Sequence, residues 1–170
     1  ITTAVIQVID LPVVLQHIVS GLARVLGADE AAIALFDEAH QQLAIMAHHT
    51  PDTAGLRVAP DDVIGEHLLR LVLQTRRPVY VADALTDART EDMRSQLARR
   101  NIGAVLVIPV AAGEEVLGVL VADFTGVQRA VQRDDDLRIG ETLANLAAVR
   151  IQQVRLYNTL GTLVREDGGV

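Results

Sequence analysis

The chain has 170 residues, a formal net charge of −7, no cysteine and only four aromatic residues, two Phe and two Tyr. That length suffices to bury a core and reads as one domain. The acid surplus and the lack of stacking rings exclude a nucleic-acid surface, and the missing Cys excludes disulfides, zinc–thiolate sites, thiol nucleophiles and thioether-linked cofactors.

Taken in order, residues 1–9 are apolar without clean period and are expected to be the tail of an upstream linker helix. Asp10 as N-cap and Pro12 in a first turn predict a helix running to Gly27, with Leu11, Val14, Leu15, Ile18, Val19, Leu22, Val25 and Leu26 on one face. Ala31 to Asp37 and Leu43 to His49 read as a pair of strands around a polar loop at 38–41. After a Pro-, Gly- and Asp-rich loop from Thr50 to Pro60, Asp61 or Asp62 caps a second expected helix. It carries Val63, Ile64, Leu68, Leu71 and Val72 on one side, has Arg76 and Arg77 in its last turn, and is ended by Pro78. A short strand over 78–82 leads to a third helix at Thr90–Arg100, whose main apolar positions are Met93 and Leu97.

Residues 103–124, GAVLVIPVAAGEEVLGVLVADF, are the most apolar stretch in the chain. Glu114 and Glu115 in their middle would each cost about 3 kcal/mol at bilayer depth, which excludes a membrane span. The stretch reads instead as two adjacent strands joined at Gly113, apolar on both faces and so covered on both. A loop to Arg133 then precedes Asp134-Asp135-Asp136, a run that suits the start of a long helix. Its apolar stripe is Leu143, Ala147, Ile151, Val154, Tyr157, Leu160 and Val164. The first half can cover the sheet, whereas the second half projects and needs a partner, most simply the same helix of a second copy.

Four pieces in this order resemble the GAF domain, the sensory module of bacterial signalling proteins: LGAD with AAIALFDE at 26–38, VIGEHLLRLVLQTRRPVYVAD at 63–83, IGAVLVIPV with GEEVLGVLVAD at 102–123, and DDDLRIGETLANLAAVRIQQVRLY at 134–157. The resemblance implies an α+β fold in α/β/α layers, with an antiparallel sheet of five or six strands. The terminal helices would lie on one face, and the loops and short helices of 50–100 would arch over a ligand pocket on the other. It places the domain at 10–157, with 158–170 as the end of a signalling helix and a flexible tail. It also implies a homodimer joined through terminal helices and fused to an output domain such as a histidine kinase of a two-component system, a cyclic-dinucleotide enzyme or a transcription activator; the absence of Cys fits a cytoplasmic protein.

The residues narrow what the resemblance allows. Covalent bilin attachment and the free methionine sulfoxide reductase reaction both need a Cys, and none is present. The cyclic-nucleotide branch carries Asn-Lys, Phe and Asp-Glu where this chain has Asp123-Phe124, Val131 and Asp135-Asp136, so only the acidic end persists. What is left is a non-covalent small molecule, or a ligand-free dimerisation and relay module. The candidate pocket residues are His48, Ile64, Leu68, Tyr80, Asp83, Met93, Leu97, Ile108, Val121 and Asp123, and the dimer helix is read as Leu143, Ala147, Ile151, Val154, Tyr157 and Leu160.

His48 and His49 are strand neighbours that point to opposite faces, so they cannot chelate one metal together. One of them could ligate a haem iron, but packing of one ring and solvation of the other is the preferred reading. His17, His40 and His67 have no second ligand at a recognisable spacing. The Asp134–Asp136 run is better explained by a helix start than by a cation, so no metal is expected. Arg89, Arg94, Arg99 and Arg100 could hold an anion over the pocket, although a solvated helix face accounts for them more simply. No nucleophile–base pair or phosphate loop is present, and no catalysis is expected in this segment.

Overall fold

In the computed structural model, which describes residues 10–37, 39, 42–50, 63–126 and 134–167, the elements run in the expected order. They are α1 (Leu11–Leu26), β1 (Glu30–Phe36), β2 (Leu43–His49), α2 (Glu66–Thr75), β3 (Val79–Val81), a 3-10 segment (Ala88–Met93), α3 (Arg94–Arg99), β4 (Ile102–Ala112), β5 (Glu115–Thr125) and α4 (Asp134–Asp167). The expectations for residues 1–9, the loop at 51–60 and the capping role of Asp61 or Asp62 fall outside the described residues.

All strand pairs are antiparallel, in one five-stranded sheet of order β2-β1-β5-β4-β3. The β4–β5 hairpin lies in its middle, turned at Gly113, where φ is 60°. Alternation along the strands divides the core into two layers. Leu106, Ile108, Leu120, Ala122 and Phe124 meet α1 and α4 on one face, here called the helix face. Val105, Val107, Val119 and Val121 meet α2, the 3-10 segment and α3 on the other, the roofed face. A strand covered on both sides needs apolar residues at every position, hence the unbroken run at 103–124.

The helices end where local chemistry dictates. Gly27 closes α1 in the left-handed region (φ 67°) with its N–H on the Ala23 carbonyl. Asp10 occupies the N-cap position of α1, but its carboxylate accepts no cap bond, and Val25 faces outward at the far end. The helix expected from 61 or 62 is broken at Ile64–Gly65, and α2 proper starts at Glu66. Asp92 explains the break: its Oδ2 accepts the His67 N–H at 3.2 Å, capping α2 from outside. A Cβ on Gly65 would sit 2.6 Å from Asp92 Oδ1, so that capping carboxylate needs glycine there. Arg76 is not in the last turn but is the left-handed cap itself (φ 55°), with its N–H on the Val72 carbonyl. The helix expected at 90–100 is likewise two pieces, the 3-10 segment and α3, which join at Met93 (φ −117°, ψ 13°).

Candidate functional site

The roofed face is where the resemblance puts a pocket, and the roof over it is held by polar stitches. The Ala84 N–H donates to the Gly103 carbonyl at 2.8 Å, which ties the loop after β3 to β4. Thr90, fully buried, donates its hydroxyl to the Ala84 carbonyl at 2.7 Å. Asp87 accepts the Arg89 N–H at 2.9 Å and the Arg89 side chain through both oxygens, at 3.0 and 2.7 Å. The Arg89 guanidinium holds the Asp87 carboxyl down to about 2, with the backbone N–H adding to it. Met93 places its sulfur 3.2 Å from the Gly65 N–H and so links the 3-10 segment to the start of α2. Replacing Thr90 by Val keeps the shape and leaves the Ala84 carbonyl with one partner fewer. A loss of about 1–3 kcal/mol is expected in chemical denaturation, and an unchanged midpoint would refute the stitch.

Five of the ten candidate pocket residues meet under this roof. Ile64, Leu68, Met93, Leu97 and Val121 belong to one buried cluster on the roofed face. Met93 and Leu97 are each 1% exposed and fill the space between the roof and the valines of β4 and β5. Two more stand at one end of the same face. His48 is in register with Ala32, a member of the roofed cluster, and Asp123 is in register with Glu30, two residues before Ala32.

Three candidates lie elsewhere. Ile108 is part of the helix-face core, and Tyr80 packs against that same core, because the even-numbered β4 residues from Ala104 to Val110 and the middle residue of β3 point away from the roof. A strand apolar at every position carries no sign of which parity faces which layer. Asp83 is exposed in a turn, where its carbonyl accepts the N–H groups of Thr86 and Asp87.

Sequence reasoning missed Glu30 and assigned Arg100 to a solvated face. Arg100, just behind α3, bonds through Nη2 to Glu30 Oε2 and lies 3.3 Å from Asp123 Oδ2. Asp123 is only 6% exposed, and its Oδ1 has no hydrogen-bond partner among the described residues; His48 Nε2 is buried without one among them as well. Burial pushes the Asp123 carboxyl up to about 7, against the pull of Arg100, and Glu30 adds to the rise. Burial lowers the pKa of His48, so the ring is neutral near pH 7. Glu30, an acid opening an otherwise apolar strand, was the signal available in the sequence; its pairing with Asp123 is set by the β1–β5 register, which the sequence did not show.

An open groove of about 380 Å³ lies outside the roof, between α2 and the 3-10 segment, lined by His67, Arg70, Leu71, Gln74, Ala88 and Arg89. Its two guanidiniums are paired, Arg70 with Glu66 at 2.9 Å and Arg89 with Asp87 at 2.7 Å. None of the candidate pocket residues lines it. No group of three His, Asp or Glu side chains poised for a metal occurs among the described residues, and no described helix is long and apolar enough to cross a membrane.

The candidate dimer residues of α4 divide between its two sides. Ala147 and Ile151 are buried with Gly140, Ala144 and Ala148, so they belong to the domain's own core and not to a free surface. Leu143 packs at the edge of that core. Tyr157 and Leu160 are exposed, and Val154 is half-buried. The opposite side of the helix carries a row that the sequence stripe did not isolate. Ile139, Leu146, Gln153 and Leu160 recur every seven residues; Thr142, Val149, Leu156 and Leu163 follow each by three, and all eight are exposed. At about 100° per residue this row falls on the solvent side, diametrically across from Ala144 and Ile151. It has the a/d spacing of a coiled-coil seam.

A family model described as GAF domain matches residues 8–152. No curated protein matches the chain. Among solved structures, the fold is similar to the GAF domain of a phosphoenolpyruvate-protein phosphotransferase from Coxiella burnetii, at 25% identity and TM-score 0.71 over 93% of this chain and 92% of that one. It is also similar to the phycocyanobilin-bound GAF domain of a cyanobacterial phytochrome, at 18% identity and TM-score 0.69, with 92% of each chain covered. A third likeness is a domain of a protein described as a two-component sensor histidine kinase from Sinorhizobium meliloti 1021, at 20% identity and TM-score 0.62 over 84% and 90% of the two chains.

Proposed function

The chain belongs to the GAF domain family, and on that premise we propose that it is a sensory or regulatory input module that signals through a homodimeric helical spine. The observation that carries this reading is the exposed seven-residue repeat on α4. One side of the helix is locked into the domain by Ala144, Ala147, Ala148 and Ile151, while the other presents Ile139, Leu146, Val149, Leu156, Leu160 and Leu163 to water. Such a row on a helix of 34 residues is most simply covered by its own copy in a second chain. A rigid connection from the sheet to a dimeric spine lets a change in the domain reach an attached output, for which a histidine kinase is the first choice.

The ligand of this reading is a small molecule held non-covalently on the roofed face, since no residue of the chain can form a thioether to a bilin. Ile64, Leu68, Met93, Leu97 and Val121 would supply the apolar lining, with His48 and Asp123 as polar ends. Met93 and Leu97 occupy that space here, so ligand entry requires them to move, and Met93, unbranched, can do so most easily. The same packing supports a second reading, a relay module that holds no ligand and whose roof is simply core. Neither reading assigns catalysis to this segment, and both place it in the cytoplasm.

Sedimentation and native mass spectrometry separate these readings. A dimer with extra mass lost on denaturation is expected for the sensor, and a dimer of clean apo mass for the relay. A monomer at micromolar concentration refutes the spine.

A further inference from the structure

Where α3 hands over to β4, four ionisable side chains from four parts of the chain converge at one end of the roofed face. They are Glu30 on β1, His48 on β2, Arg100 behind α3 and Asp123 on β5. Strand pairing sets the spacing: Glu30 is directly across from Asp123, and His48 is across from Ala32, two residues along β1. Two carboxylates therefore share the Arg100 guanidinium. One oxygen of Asp123 is bonded to it and the other is buried with no donor among the described residues. Asp29, next along the chain, donates its N–H to the Asp123 carbonyl at 3.0 Å and turns its own carboxylate to the Thr125 N–H at 2.7 Å, so it offers Asp123 no compensation.

A buried carboxylate with one oxygen unsatisfied and a second acid across the ladder is costly when ionised. A proton removes the like-charge contact and converts the acid into a donor. Arg100 is the residue that closes α3, so the cluster also fastens that end of the roof to β1 and β5.

We propose that the Glu30–Arg100–Asp123 cluster is a proton-controlled latch on the roof. With Asp123 protonated, Arg100 is held by Glu30 and the end of α3 is fastened to the sheet. With Asp123 ionised, the buried anion must be reached by water, and the roof from Ala84 to Arg100 loosens. The pKa of about 7 puts the change near neutrality. The folded chain holds this proton more tightly than the unfolded one does. The stability tied to it is therefore complete below the ordinary carboxylate range and is lost as pH rises through about 7. His48 acts in the opposite sense: its lowered pKa means stability is lost as pH falls below the ordinary value of 6.5. The latch goes beyond the sensor reading, because it needs no ligand other than the proton and would operate equally in a relay module.

The test is a carbon-13 titration of the Asp123 side-chain carboxyl in the full chain. It is paired with hydrogen exchange of residues 84–100, corrected for intrinsic rates, between about pH 5 and pH 8. The expected result is one inflection near neutrality in both signals, with exchange of the roof rising about tenfold across it. Asp123→Asn should hold the roof in its protected state at every pH, and His48→Asn should leave the inflection in place. Glu30→Gln, which keeps an acceptor for Arg100, should move the inflection down by about one unit and serves if Asp123→Asn fails to fold. Titration of Asp123 in the ordinary carboxylate range, or a roof transition that disappears with His48→Asn, overturns the latch. Exchange of the roof that does not change with pH overturns it too.

Discussion

Ile151→Asp is expected to unfold the protein, whereas Leu156→Asp, five positions further along the same helix, is expected to leave the fold intact and convert a dimer to monomer. Ile151 is 2% exposed and belongs to the helix-face core with Leu15, Leu22 and Phe124. Placing a carboxylate there removes an aliphatic side chain and buries an unpaired charge, a cost of about 5 kcal/mol or more. That is comparable with the whole stability of many domains. Leu156 is 62% exposed and Leu160 is 53% exposed, in a region where α4 has left the sheet. Their replacement costs the domain almost nothing but places like charges face to face across a coiled-coil seam. Circular dichroism melts and sedimentation equilibrium read the two effects separately. A folded Ile151→Asp protein, or Leu156→Asp and Leu160→Asp proteins that both remain dimeric, would show that the two faces of α4 are misassigned.

Gly118→Ala should cost about 3 kcal/mol or more, a large effect for one methyl group. Gly118 lies in β5 between Leu35 of β1 and Val110 of β4, just where the β4–β5 register shifts. A Cβ built there would stand 2.1 Å from the Ala34 carbonyl oxygen and 2.8 Å from the Leu35 Cα. Both are backbone atoms of the neighbouring strand, so the clash is relieved only by parting β1 from β5 in the middle of the sheet. Gly21→Ala is the matching control. Among the described residues nothing lies within 4 Å of its Cβ position, in the interior of α1, and helix propensity predicts a gain of up to about 1 kcal/mol. Urea denaturation of both variants gives opposite signs if the strand contact is as close as described. A Gly118→Ala protein as stable as the wild type would remove that contact from the account.

The extent to which the sequence revealed the site follows from which residues carried a period. Met93 and Leu97 are four apart in a polar stretch, and both are found under the roof although one ends the 3-10 segment and the other lies in α3. Leu68 and Val72 showed one side of α2 for the same reason, and Ile64, at the break before it, joins the same cluster. Tyr80 and Ile108 sit in strands where every neighbour is apolar, and parity there cannot be read without knowing which layer comes first. Glu30 and Arg100 are distant in sequence and meet only because β1 lies beside β5 and α3 ends above them. The break before α2 was hidden too, because the carboxylate that caps the helix, Asp92, comes from the 3-10 segment.

The amino-acid sequence by itself determined the kind and order of the elements, since alternation, helical spacing, Gly27 and Gly113 act within a few residues of where they stand. It also determined the family and the absence of thiol chemistry. Tertiary structure alone decided which side of α4 is core and which is free. An apolar residue looks the same in sequence whether it meets its own sheet or water, and only the packing of α4 on α1 and the sheet assigns Ala147 and Ile151 to one side and Leu156 and Leu160 to the other. It also decided that Asp123 is buried against Glu30 and Arg100, because a charge's surroundings are set by residues the fold brings from elsewhere in the chain.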